Sequence, residues 1–416
     1  MYQEIKLSNG ARVFTEAVPG ARSAALGFYI GVGSRYEEPS HNGRAHFIEH
    51  MLFKGTQRRS AADLARDMDA IGGQFNAYTT KEHTCFHGRT LDKHLDRSLD
   101  ILSDMLFHSK FDQQDIETER GVILEEISMY EDTPDDLVSE RLNAACFKGT
   151  PVARPILGTQ ATLEAVTGPE LAQWQKEYYR PGAIVASLAG SFTQAQVDRL
   201  CSCLSQLDEG PVHAFKPAAY RPAVTARKKA IEQNHLILAY PALSYLDERR
   251  PQILLLNSLL GGGCSSRLFQ EVREKRGLGY TVYSYLSDHA DTGLLGIYAG
   301  VNKEQEEKAL DTIRQVVTEL ADHGPTQEEL DRVREQAKAG LLMASESVNS
   351  RMNHLGVSAL LYNRVRDLDE MLALYDSVTV DQLRSLAQEL FRPELASLSA
   401  VGRVRSAADY SKWLGR

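Results

Sequence analysis

The feature that most constrains the fold is that the chain is written twice. After an alternating, strand-like segment, "ARSAALGFYIGVG", the first half carries helical patterns over 44–54 and 60–70 and a strand pattern over 74–90. Two further helical patterns follow at about 92–107 and 112–130. The second half repeats that order. A strand pattern at 232–243 leads into helical patterns at 250–263 and 265–277, a strand hairpin at 280–301, and helical segments at about 303–322 and 326–345. Individual words align as well. "FDQQDIETERGVILEE" (111–126) matches "PTQEELDRVREQAKAG" (325–340), and "HMLFKGT" (50–56) matches "NSLLGGG" (257–263). Between the halves, "DEGPVHAFKPAAYRPAV" is rich in Pro, Ala and Gly and reads as a linker. The pattern predicts an α+β protein of two tandem homologous domains, 1–208 and 224–416, joined by a linker over 209–223. Each domain is expected to be a mainly antiparallel sheet with helices packed on one face.

One copy holds chemistry that the other lacks. "HFIEH", residues 46–50, lies in the helical pattern 44–54, so His46 and His50 stand one turn apart on one face and can reach a single ion. Zinc suits such a pair. Glu49, three residues from His46, can act on a bound water without being forced to bind the metal. Two packed, metal-free histidines would show the same spacing. A third ligand therefore decides the matter, and the helical pattern 112–130 offers two candidates. Glu119 and Glu126 are seven apart and border the apolar stripe Ile116, Ile123, Ile127, Tyr130. A carboxylate turned toward a core is costly unless it is paired or bound to metal. At the aligned positions of the second half, His46 becomes Ile253, Glu49 becomes Leu256, His50 becomes Asn257 and Glu126 becomes Gly340. Ligand-type residues occur together in one copy and vanish together in the other, which a purely structural role does not predict.

Composition narrows the partners. A net charge of −9 over 416 residues, with no basic stripe, argues against nucleic acid or an anionic membrane surface. No apolar run approaches the roughly 18 residues that would cross a bilayer. The N-terminal "MYQEIKLSNGARVF" has no basic region followed by an apolar core, so a cytoplasmic location is expected. Five cysteines without a CxxC pair argue against a disulfide framework or a thiolate zinc site. "LLGGGCSS" lacks the Gly-Lys-Ser/Thr ending of a phosphate loop and reads as a helix-ending turn.

These residues resemble the pitrilysin/insulinase (M16) family of inverted-motif zinc peptidases, in its short two-domain, processing-peptidase-like branch. The family pattern is HxxEH with a glutamate about 76 residues beyond the second histidine, and that position is Glu126. "NGRAHFIEHMLFKGT", "IGGQFNAYTTKEHT", "ERGVILEEISMYEDTPDD", "RPILGTQATL", "YYRPGAIV" and "SSRLFQEVREKRGLGY" stand in family order and cover nearly the whole chain. The resemblance implies zinc, one per chain, on His46, His50 and Glu126. Glu49 would be the catalytic base, and Glu119 a carboxylate orienting a ligand or the water. "QFNAYTT" would be an edge strand to which a peptide or unfolded substrate adds as another strand, with Asn76 and Ala77 flanking the scissile bond. Arg273 and Tyr280 fit the family's R-x6-Y spacing and would steady substrate carbonyls and the developing oxyanion. Where the family has a small or apolar residue, this chain has Arg44, whose side chain is expected to point away from the zinc and to suit a contact with a partner.

The implied activity is a zinc-dependent endopeptidase cutting short or unfolded peptides inside a chamber formed by dimerisation. Arg273 and Tyr280 would be supplied by a partner, either an identical chain or a paralogue. The alternatives are the catalytic subunit of a dedicated processing peptidase, active only with a zinc-less paralogue, and a non-catalytic structural subunit.

Overall fold

The computed structural model describes residues 2–416. The first half of the chain forms strands β1 (Gln3–Lys6), β2 (Arg12–Ala17) and β3 (Ser23–Ile30), then helices α1 (Arg44–Leu52) and α2 (Ala61–Ala70). The hairpin of β4 (Gln74–Thr79) and β5 (Thr84–Leu91) comes next, followed by α3 (Leu95–His108), α4 (Gln113–Asp132) and α5 (Pro134–Cys146). Helices α6 (Gln160–Glu164) and α7 (Gly168–Tyr178), strand β6 (Ile184–Gly190) and α8 (Gln194–Ser205) complete it. The second half gives β7 (Val224–Lys228), β8 (Gln233–Ala242), α9 (Arg250–Gly261), β9 (Gly279–Asp288) and β10 (Gly293–Asn302). It ends with α10 (Glu306–His323), α11 (Gln327–Ala344), α12 (Val348–Tyr362), α13 (Leu368–Asp376), α14 (Val380–Leu390), β11 (Ser397–Gly402) and α15 (Ala407–Trp413).

The repeat is visible in the sheets. The first is ordered β1-β2-β6-β3-β5-β4 and the second β7-β11-β8-β10-β9. Apart from the extra β1, each strand of one sheet has its counterpart at the same place in the other. In both, a single parallel pair (β2–β6, β7–β11) adjoins antiparallel neighbours. Among the described residues, strand β4 pairs with β5 alone and β9 with β10 alone, so each closes its sheet as an edge.

Three expectations need correction. The segment 74–90 is a hairpin, not one strand, because the chain turns at 80–83. There the Thr80 hydroxyl accepts the backbone N–H of Glu82 (3.2 Å) and of His83 (3.0 Å). The helical pattern 265–277 is helical only over 267–274, and is wound as a π-helix over Phe269–Glu274. Thirdly, helices cover both faces of each sheet. Strand β3, "SAALGFYI", is apolar at nearly every position, as a strand buried on both sides requires. Its Ala24, Leu26, Phe28 and Ile30 join the core beneath α1, α3, α4 and α7. Its Ala25 and Tyr29 face Val348, Met352, Leu355 and Ala359 of α12. Close approach of α12 depends on glycine, since a Cβ at Gly356 would lie 2.0 Å from the Tyr29 ring. Strand β10 divides in the same way. Leu295, Ile297 and Ala299 meet α9, α10 and α14, and Leu294 and Tyr298 meet Leu137, Val138 and Leu142 of α5.

The helix on the second face of each sheet comes from the other half of the sequence. One compact unit comprises 1–127, 154–216 and 342–367, and the other 128–153, 217–341 and 368–416. The spatial units thus depart from two contiguous stretches divided at the linker: α12 belongs with the first sheet, and α5 with the second.

Candidate active site

Helix α1 begins without a cap of its own. Gly43 precedes it in the left-handed region (φ 98°), where a Cβ would lie 2.8 Å from the Leu157 carbonyl oxygen. Glu37 supplies the missing acceptor. Its carboxylate takes the backbone N–H of Ala45 (2.7 Å) and of Gly43 (2.8 Å), and the Asn42 side-chain amide (2.9 Å). Burial nevertheless pushes the Glu37 carboxyl up to about 7, against those donors and the nearby Arg154 guanidinium.

One turn inside the helix, the His46 and His50 rings stand 4.6 Å apart between centroids. Each Nε2 lies 3.8 Å from Oε2 of Glu126 on α4, and the donor atoms of the three residues all fall within 4.8 Å of one another. A separation of 3.8 Å is too long for a hydrogen bond. It is close to the ~3.4 Å edge of a tetrahedron whose bonds are about 2.0–2.1 Å long, the length of zinc–nitrogen and the shorter zinc–carboxylate bonds. Burial, reinforced by His50, pushes His46 down to about 3, so its imidazole is neutral with a lone pair to give. Its Nδ1 is buried with no hydrogen-bond partner among the described residues, and Nε2 is the nitrogen that faces the Glu126 carboxylate. Two imidazoles and a carboxylate form a donor set that zinc accepts, and the residues fit the ion.

Around this set, further contacts fix the groups in place. Glu119, 3% exposed, lies 3.0 Å from His50 Nδ1 and 2.6 Å from Lys54 Nζ. A carboxylate there makes Nδ1 the protonated nitrogen of His50 and turns the Nε2 lone pair toward Glu126. Glu49 points to the adjacent strand, where the Thr79 hydroxyl donates to its Oε2 at 2.6 Å. Burial raises both Glu49 and Glu126 above the usual carboxylate range; the Thr79 hydrogen bond opposes this for Glu49, and His50 opposes it for Glu126. The sequence patterns above mark neither Lys54 nor Thr79. Lys54 sits four residues past His50 in "HMLFKGT", a helical spacing that could have marked it.

The remaining predicted residues fall in two places. Asn76 and Ala77 lie on β4, the unpaired edge, with the Asn76 side-chain oxygen accepting the Ala77 N–H at 2.9 Å. Arg273 and Tyr280 belong to the other unit. There the structure brings them together: the Arg273 guanidinium stands 4.4 Å from the Tyr280 ring centroid, and Tyr280, at the start of β9, is 74% exposed. Arg44 corrects an expectation. Its side chain is buried and ends 3.3 Å from Glu170 on α7, turned inward and not offered to a partner. The glycine run after α9 is a helix-ending turn, with Gly262 closing the helix. Among the described residues, no helix is long and apolar enough to cross a membrane.

Residues 12–160 match the family described as insulinase (peptidase family M16), and residues 165–337 match the peptidase M16 inactive domain. The chain belongs to the insulinase family of peptidases, M16, in its short two-domain branch. YmxG of Bacillus subtilis, named an uncharacterized zinc protease, is 39% identical over 409 residues, covering 98% of this chain and 100% of YmxG. A Streptomyces coelicolor protein, also named an uncharacterized zinc protease, is 40% identical over 411 residues, covering 96% of this chain and 89% of its own. The fold is shared with a Pseudomonas fluorescens structure described as a peptidase M16 inactive domain (TM-score 0.91, 22% identity, 97% of this chain and 99% of that one). It is also shared with a protease from Helicobacter pylori (TM-score 0.88, 20% identity, 97% and 99%).

Proposed function

We propose that this chain is a zinc-dependent endopeptidase acting on short or unfolded peptides, with one zinc held by His46, His50 and Glu126. The observation that carries the reading is the convergence of those three donor sets within 4.8 Å, beside a carboxylate, Glu49, that is not among them. Zinc bound there supplies Lewis acidity, which lowers the pKa of a water and polarises a peptide carbonyl. The chain's own residues do the rest. With Oε2 engaged by Thr79, Oε1 of Glu49 takes the proton of the attacking water and returns it to the departing amine nitrogen. Glu119, held by Lys54, keeps His50 in the tautomer that leaves Nε2 unprotonated. The free edge of β4 receives the substrate in strand form, with Asn76 and Ala77 flanking the scissile bond. Arg273 and Tyr280 of a partner copy steady the substrate carbonyl and the developing oxyanion, so the working form is a dimer in the cytoplasm.

Metal content and activity on a quenched peptide of about 10–20 residues, a length that can lie along an edge strand, test this for wild type and Glu49→Gln purified alone. The expected result is zinc near one per chain in both proteins and cleavage in wild type only. Absence of zinc from both would refute the reading. Zinc without activity in either would refute the homodimer and favour a chain that works only with a paralogue.

A further inference from the structure

The strand that offers the free edge also holds the base. Thr79 is the last residue of β4, and its hydroxyl donates to Glu49 Oε2 at 2.6 Å. With the period of two along a strand, Phe75, Ala77 and Thr79 share one face of β4. Phe75 and Ala77 pack into the core that contains Phe47, Ile48 and Met51 of α1, so this is the face turned to the helix that carries Glu49. Asn76 and Tyr78 take the opposite face, and Tyr78 joins the α12 side of the sheet.

A glutamate side chain has three rotatable bonds, and a base must be held within a few tenths of an ångström to be useful. Threonine is β-branched and restricted at χ1, so a hydroxyl on a paired strand is a fixed donor. Pairing of Thr79 with Thr84 of β5 anchors the backbone on the inner side. We propose that Thr79 is the positioning residue for Glu49, and that through it the strand to which a substrate adds also sets the direction of the carboxylate that acts on the water. The proposal rests on the peptidase reading and assigns its edge strand a second task. The two oxygens of Glu49 then have separate duties: Oε2 is tethered and Oε1 is free to move a proton. Any substrate that aligns on β4 is placed in register with the base, because both are referred to the same few residues of backbone.

Thr79→Val keeps the size and strand preference of the residue and removes only the donor; Thr79→Ser keeps the donor. On the zinc-loaded 416-residue chain, Thr79→Val should lower kcat by roughly tenfold or more, the worth of a hydrogen bond to a charged group. KM should stay within about twofold, as for an interaction that matters after substrate is bound. Zinc per chain and thermal midpoint should be unchanged, and Thr79→Ser should restore kcat. A crystal structure of Thr79→Val should show the Glu49 carboxylate away from its wild-type rotamer. The proposal is overturned if Thr79→Val keeps wild-type kcat, if KM rises in place of the fall in kcat, or if Thr79→Ser is as damaged as Thr79→Val. Should zinc-loaded wild type alone cleave nothing, the reading of a self-sufficient homodimer fails, and the Glu49 rotamer in Thr79→Val then decides the positioning role by itself.

Discussion

Replacing Glu37 with glutamine should change how the stability of the first unit responds to pH. Glu37 is buried at the start of α1, and burial pushes its carboxyl from an ordinary 4.5 to about 7. A carboxyl raised on folding binds its proton more tightly in the native state. It therefore costs nothing below pH 4.5, where both states are protonated, and it destabilises progressively as pH rises from 4.5 through 7. The interval between those values, at about 1.4 kcal/mol per pH unit, makes ~3 kcal/mol, of which about 2–3 kcal/mol develops between pH 5 and 8. Glutamine is close in shape to the neutral acid and does not titrate. The variant should exceed wild type by no more than about 1 kcal/mol at pH 5 and by about 3 kcal/mol at pH 8. The assay is urea unfolding at several pH values in a Trp413→Phe background. Trp174, buried on α7 and stacked on Tyr178, then reports the first unit alone, because Trp413, on α15, lies in the other. Taking the difference between variant and wild type cancels the histidines that titrate in the same range. A constant difference from pH 5 to 8 would refute the reasoning. It would mean that three N–H donors and the helix end outweigh burial and keep Glu37 ionised throughout.

Lys54→Met should weaken zinc binding by about 10–100-fold in a chelator competition, because the buried Glu119 loses the cation that holds it against His50; an unchanged affinity would remove Lys54 from the site. Gly356→Ala should destabilise the first unit by at least ~1–3 kcal/mol in urea, since the new methyl would overlap the enclosed Tyr29 ring. Arg273→Ala should lower kcat/KM by about 100-fold with zinc content unchanged, as loss of an oxyanion donor does. Mixing it with Glu49→Gln should restore about one quarter of wild-type activity if each site in a symmetric dimer draws Arg273 from the other copy. No recovery on mixing would refute completion in trans.

Much of the site was legible because α-helical spacing is rigid. His46 and His50 at i and i+4, with Glu119 and Glu126 seven apart on a second helix, leave few ways to arrange the four groups, and the structure brings His46, His50 and Glu126 together. The contrast between the two copies identified which groups the fold can do without. Contacts made across elements were less legible. Thr79 meets Glu49 because β4 lies beside α1, a tertiary fact that no local pattern carries. The turn at 80–83 was hidden because a threonine hydroxyl makes it, with no glycine or proline to mark it. The apolar run in β3 does announce a strand buried on both faces, yet nothing local says that the second cover is α12, from the far half of the chain. The apolar positions of α5 and α12 show that each has a buried side and are silent about which sheet it meets.

That exchange makes the linker a poor place to divide the protein. Cutting within 209–223 would leave each fragment holding a helix that completes the other's sheet and lacking the helix that completes its own. Without α12, the first fragment would present Phe14, Ala25, Tyr29, Val185 and Ala189 to water; without α5, the second would uncover Ile237, Ala239, Leu294 and Val401. Expressed singly, the halves should aggregate; expressed together, each should rescue the other's solubility. Neither copy of the duplicated fold is self-sufficient, so the copy that has lost its metal-type residues stays indispensable to the one that keeps them.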